Sequence, residues 1–186
     1  MDKFDTILSL IFPKFVKKRV KYDLNQMKFI ADEQRSVTVI FCDIANFDDM
    51  CVGYSPQELT DFLDNLFQIF DHLCDSNGVV KIETVGKTYM ACGGLSEYEE
   101  NLTPEFRRMS HARRSLEFAL DVLRAISSIK VKTQEGDAHL LLKIGIHSGP
   151  VIAGVVGSHK PQFSLIGSTV NHASRMGSTL KTPNCI

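Results

Sequence analysis

Asn171 and Arg175 stand four residues apart in the stretch Ser168-Thr169-Val170-Asn171-His172-Ala173-Ser174-Arg175-Met176. On a helix that spacing places an amide and a guanidinium on one side, with their donors aimed in the same direction. Three other stretches carry polar groups in suggestive places. Val39-Ile40-Phe41-Cys42-Asp43-Ile44 is an apolar run that ends on a carboxylate. Lys81-Ile82-Glu83-Thr84-Val85-Gly86-Lys87-Thr88-Tyr89-Met90 reads as strand, turn and strand, with Glu83 in the first strand. Gly145-Ile146-His147-Ser148-Gly149 is the last, and there His147 reads as a structural turn residue rather than a general base. Taken singly, each is as well explained by a solvated surface. Gly53, Gly86, Gly93, Gly94, Gly154 and Gly157 suit turns and close packing and do not spell a phosphate-binding P-loop.

The elements that must position these groups follow from periodicity. Ser36 to Cys42 is rich in β-branched residues and predicts a buried strand. Ser55-Pro56-Gln57-Glu58 is a capping box with proline at the first helical position. From there Leu59, Phe62, Leu63, Leu66, Phe67, Phe70 and Leu73 line one helical face, and Asn77-Gly78 ends it. Val79 to Thr84 and Thr88 to Cys92 predict two strands around Val85-Gly86-Lys87. Leu95 to Phe106 reads as a surface loop, and Leu116, Ala119, Leu120 and Leu123 mark a second helix. His139 to Ile146 and Val151 to Val156 predict a hairpin around His147-Ser148-Gly149-Pro150. A strand near Gln162 to Ile166 and a helix from Ser168 to Leu180 complete the order. The sequence β-α-β-β-α-β predicts an α+β fold, a ferredoxin-like antiparallel sheet flanked by helices packed on one face.

Composition narrows the function classes. The chain has 186 residues, 44% of them hydrophobic and 23% charged, with a formal net charge of −1. That is the balance of a globular domain with a sizeable core. No basic excess calls for nucleic acid, and the local run Lys14 to Lys21 suits a solvated helix face. The strands also lack the paired aromatics of an RNA-binding sheet. Five cysteines without a CxxC pair imply reduced thiols in a cytosolic compartment. No run reaches the roughly 18 apolar residues of a membrane span. Phe4, Ile7, Leu8, Ile11 and Phe15 give a helical leader with a break at Pro13, so residues 1–35 form a leader and linker and 36–186 the domain.

In this order and at this spacing, the four stretches together resemble the catalytic domain of the class III nucleotidyl cyclases. The likeness covers roughly residues 36 to 186, and Phe12-Pro13-Lys14-Phe15-Val16 resembles the segment that precedes many such domains. The resemblance implies that two domains pair head to tail with active sites at their interface. One domain supplies two metal-binding aspartates for Mg2+ or Mn2+. The other supplies the residues that read the base, together with an Asn and an Arg. The reaction is in-line attack of the ribose 3′-hydroxyl on the α-phosphorus, releasing pyrophosphate and a 3′,5′-cyclic nucleotide.

Carried over by resemblance, Asp43 matches the first metal aspartate and Ile44 lends a backbone carbonyl. The second carboxylate is replaced by Lys87. Exchanging carboxylate for ammonium changes the local charge by two units, each worth roughly 4 kcal/mol at 4 Å and an effective dielectric of 20. Asp48 stands where a neutral hydroxyl usually faces the triphosphate. The other face matches the family: Asn171 for the ribose, Arg175 for charge on the α-phosphate, Glu83 and Ser164 for the base. Guanine offers N1–H and N2–H donors beside an O6 acceptor, so a carboxylate and a hydroxyl fit it, whereas adenine would call for Lys and Asp.

The expectation is therefore the base-and-transition-state half of a guanylate cyclase, making cyclic GMP from GTP. A second cyclase domain would hold most of the metal, in a hetero- or pseudo-heterodimer, with an active homodimer as a rival. The isolated domain is expected to be inactive, and the family's closing strands would lie beyond Ile186. Rival readings are a non-catalytic regulatory or dimerisation domain and an adenylate cyclase. The location is expected to be cytoplasmic, free or as the cytosolic part of a membrane-bound parent.

Overall fold

The computed structural model describes residues 31–157, 159–181 and 183–186, with Phe12, Val16 and Lys17. The leader helix expected through Phe4, Ile7, Leu8, Ile11 and Phe15 lies otherwise outside the described residues, as does most of the basic run. Strand β1 (Ala31–Ile44) is central. It is followed by helices α1 (Phe47–Gly53) and α2 (Pro56–Asn77), then by strands β2 (Val80–Val85) and β3 (Thr88–Gly93). Helices α3 (Ser96–Glu99), α4 (Pro104–Arg107) and α5 (His111–Ile126) come next. They lead to the strand pair β4 (Lys130–Thr133) and β5 (Gly136–His139). Strands β6 (Leu142–Val156) and β7 (Gln162–Ile166) and helix α6 (Ser168–Ser178) close the order. The main sheet runs β2-β3-β1-β6-β7, and each neighbouring pair is antiparallel.

Side chains of β1 alternate between two cores, as the period of a strand requires. Ile40, Cys42 and Ile44 join Leu66, Phe70 and Cys74 of α2 and Phe118, Ala119, Val122 and Ile126 of α5. Val37 and Val39 face the other way, toward Val151, Phe163, Leu165 and Ala173 of α6, where Phe12 and Val16 are also buried. Helices therefore cover both faces of the sheet, not the single face expected, because α6 returns beneath the strands after β7. Helix α2 begins at the predicted capping box: Ser55 N–H donates to Glu58 Oε2 at 2.9 Å and Glu58 N–H to Ser55 Oγ at 3.3 Å. Gly78 ends it at φ 62°, the left-handed conformation that glycine adopts at no steric cost.

Three local expectations are corrected. Residues 142–156 form one continuous strand along β1 instead of a hairpin. Gly149-Pro150 imitates a turn, but Arg35 and Ser36 bulge opposite Pro150, so its missing N–H costs no ladder bond. The hairpin lies earlier, as β4–β5. The stretch read as a loop contains α3 and α4. On α5, Leu116 and Leu120 are exposed, and the buried face instead includes Arg114, whose guanidinium meets Glu99 Oε2 at 2.6 Å and the Gly78 carbonyl.

Candidate functional site

The end of β1 meets the β2–β3 turn. Asp43 pairs in register with Thr88 on one side and Lys143 on the other. Thr88 Oγ1 donates to Asp43 Oδ1, and Ile44 N–H donates to the Lys87 carbonyl at 3.2 Å. Gly86, at φ 55°, makes the turn that carries Lys87 to this corner. Burial, with Cys74 and Asp43 adding, pushes the neighbouring Cys42 thiol up, so it stays neutral beside the carboxylate. Asp48 is exposed in the first turn of α1.

A hard divalent cation needs several oxygen ligands, carboxylates foremost. Here one carboxylate, already engaged by Thr88, is flanked by Lys87 and Lys143, and no group of three or more His, Cys, Asp or Glu ligands occurs among the described residues. The corner does not fit a Mg2+ or Mn2+ ion held by this chain alone.

Glu83 lies half-buried on β2, where a bulge between Lys81 and Glu83 breaks the register with β3. Across the curled sheet, Gln162 of β7 donates from Nε2 to Glu83 Oε2, so the two edge strands meet at this carboxylate. Ser164, two residues beyond Gln162, lies on the same side of β7, and Phe163 and Leu165 turn into the core. A cleft of about 180 Å³ joins Asp43 and Thr88 to Glu83, Lys143 and Ser174.

Helix α6 rests on β6 through a close approach that only glycine permits. A Cβ on Gly145 would stand 2.1 Å from the Ala173 carbonyl oxygen, and one on Gly149 would stand 2.5 Å from Thr169 Oγ1. With Ala173 and Gly177 turned to the sheet, Asn171 and Arg175 lie on the opposite side of the helix, both exposed. The fold thus brings Asp43 and Glu83 into one cleft and sets Ser164 on the strand whose Gln162 holds Glu83. It leaves Asn171 and Arg175 exposed on α6, the helix whose Ser174 lines that cleft.

Thr88, Lys143 and Gln162 were not anticipated as site residues. Lys143 was hidden because residues 139–146 read as the arm of a hairpin. Gln162 had one available signal, its two-residue spacing from Ser164.

The family model for the adenylate and guanylate cyclase catalytic domain matches residues 29–184. Guanylyl cyclase C of Homo sapiens is 35% identical over 179 residues, covering 96% of this chain but only 16% of that protein. The chain therefore spans about a sixth of the length of that relative. The guanylate cyclase domain of RhGC from Catenaria anguillulae, in complex with GTP, superposes with a TM-score of 0.69 at 37% identity, over 82% of this chain and 77% of that one. The dimeric guanylyl cyclase domain of the RhoGC fusion protein from Blastocladiella emersonii gives 0.69 at 37% identity, over 83% and 79%.

Proposed function

Because the chain belongs to the adenylate and guanylate cyclase catalytic domain family, we propose that it supplies the base-reading and transition-state half of a guanylate cyclase site. The product is cyclic GMP, made from GTP when this domain pairs with a second, metal-binding cyclase domain. One observation carries the reading. Glu83, held by Gln162 two residues before Ser164, lines a cleft that Ser174 of α6 also lines, and Asn171 and Arg175 on that helix are exposed to a substrate shared with a partner domain.

In this assembly the Glu83 carboxylate accepts from guanine N1–H and N2–H, and Gln162 fixes its orientation. Ser164 donates to O6. Asn171 holds the ribose so that its 3′-hydroxyl faces the α-phosphorus. Arg175 neutralises charge that grows on the α-phosphate oxygens during attack. A divalent ion would be held mainly by the second domain and would supply Lewis-acid chemistry there, because Lys87 and Lys143 oppose one at this corner. On this reading the domain works on the cytosolic side, either free or as part of a membrane-bound parent. No helix among the described residues is long and apolar enough to cross a membrane.

Lys87 also favours a second reading, a regulatory domain that pairs without taking part in chemistry. Arg175→Ala in the assembled pair separates the two. Removing a transition-state donor is expected to lower kcat about 100- to 1,000-fold with KM little changed. An unchanged kcat would leave only the regulatory role.

A further inference from the structure

His147 and His172 meet where β6 and α6 cross, with ring centroids 5.0 Å apart and planes at 69°. The fold brings them there by construction. His147 pairs with Val39, so its side chain stands on the α6 face of the sheet. It rises between Gly145 and Gly149, the two positions over which the helix lies closest. His172, on the flank of α6, closes over it. His147 is half-buried and His172 exposed, and neither ring makes a hydrogen bond among the described residues.

Two imidazoles that share one metal have bonds of about 2.0–2.1 Å, which sets their centroids about 4.5–5.2 Å apart for angles at the metal from 90° to tetrahedral. The observed 5.0 Å falls in that window. Each ring carries two nitrogens and histidine χ2 has broad minima, so either nitrogen can be offered to a shared metal. We infer that His147 and His172 form a two-imidazole chelate for a divalent cation of the zinc, nickel or copper type.

Mg2+ is excluded from this chelate by its preference for oxygen ligands. With no third His, Cys, Asp or Glu in the group, water completes the coordination shell. The bound ion fastens α6 to β6, and so steadies the helix that carries Asn171 and Arg175 without touching either. The chelate stands independently of the cyclase assignment.

Thermal unfolding of the whole chain with NiCl2, against MgCl2, tests it. At Ni2+ one hundred times its dissociation constant, Tm is expected to rise by about 5 °C or more. Mg2+ should give no shift, and His172→Gln or His147→Gln should abolish the Ni2+ shift. With Cu2+, paramagnetic resonance should report two coordinating imidazole nitrogens, reduced to one at most in either variant. His172 is exposed, so His172→Gln is expected to keep its metal-free Tm and to decide the matter even if His147→Gln fails to fold. A Ni2+ shift that survives in His172→Gln, or no shift in the unaltered chain, overturns the inference.

Discussion

Glu83 is held from across the sheet: Gln162 donates to it from the far edge strand, with Ser164 two residues further on. The hydrogen-bond pattern of guanine argues for this pair, and the same chemistry says how to change it. In a complex completed by a metal-bearing partner, Glu83→Lys with Ser164→Asp should move preference from GTP toward ATP. Lys would donate to adenine N1 and Asp would accept from N6, while both would oppose guanine. Each lost match costs about 1–3 kcal/mol, so the ratio of the two kcat/KM values should shift by roughly two to four orders of magnitude. An unchanged ratio would remove Glu83 and Ser164 from base recognition. Sequence order alone singles out both residues, since Glu83 sits inside one of the ordered stretches and Ser164 just before another. Gln162 and Lys143 are not singled out, because their importance comes from pairing across strands: Lys143 opposite Asp43, and Gln162 against a carboxylate 79 positions away.

At the scale of elements, the placement of α6 rests on two absent side chains. Gly145 lies under the backbone of α6, which cannot yield, whereas Gly149 lies under the side chain of Thr169, which can turn aside only by giving up its 2.7 Å hydrogen bond to the Pro150 carbonyl. Gly145→Ala should therefore destabilise the fold by about 2 kcal/mol or more, seen as a Tm lower by about 5 °C or more, and Gly149→Ala by less. Equal losses at the two positions would contradict this packing. Helix α2 was fully readable, since Ser55, Pro56, Glu58 and Gly78 state its start and stop locally. β6 was not. Its Gly149-Pro150 step carries the local signature of a turn, and only the bulge in a strand more than a hundred residues earlier makes it part of a sheet. The second helix-covered face escaped notice for a similar reason. A pattern of strands and helices fixes their order, but the glycines that admit α6 to the far side of the sheet carry no periodic signal.

The whole molecule is lopsided in its chemistry. One corner offers a single engaged carboxylate between two lysines, and the outer face of α6 offers an amide and a guanidinium whose side chains have no hydrogen-bond or ion-pair partner among the described residues. A homodimer would bring two such impaired corners together and hold metal at neither, whereas a metal-competent partner would supply what this chain lacks. The direct measurement is cyclic GMP formation from GTP with Mg2+ or Mn2+, by the chain alone and mixed with a cyclase domain that carries both metal aspartates but lacks its own Asn and Arg. The expected result is negligible product from either component and clear product from the mixture. Robust cyclic GMP synthesis by the pure chain, or none from the mixture when the two proteins are shown to associate, would contradict the division of labour proposed for this domain.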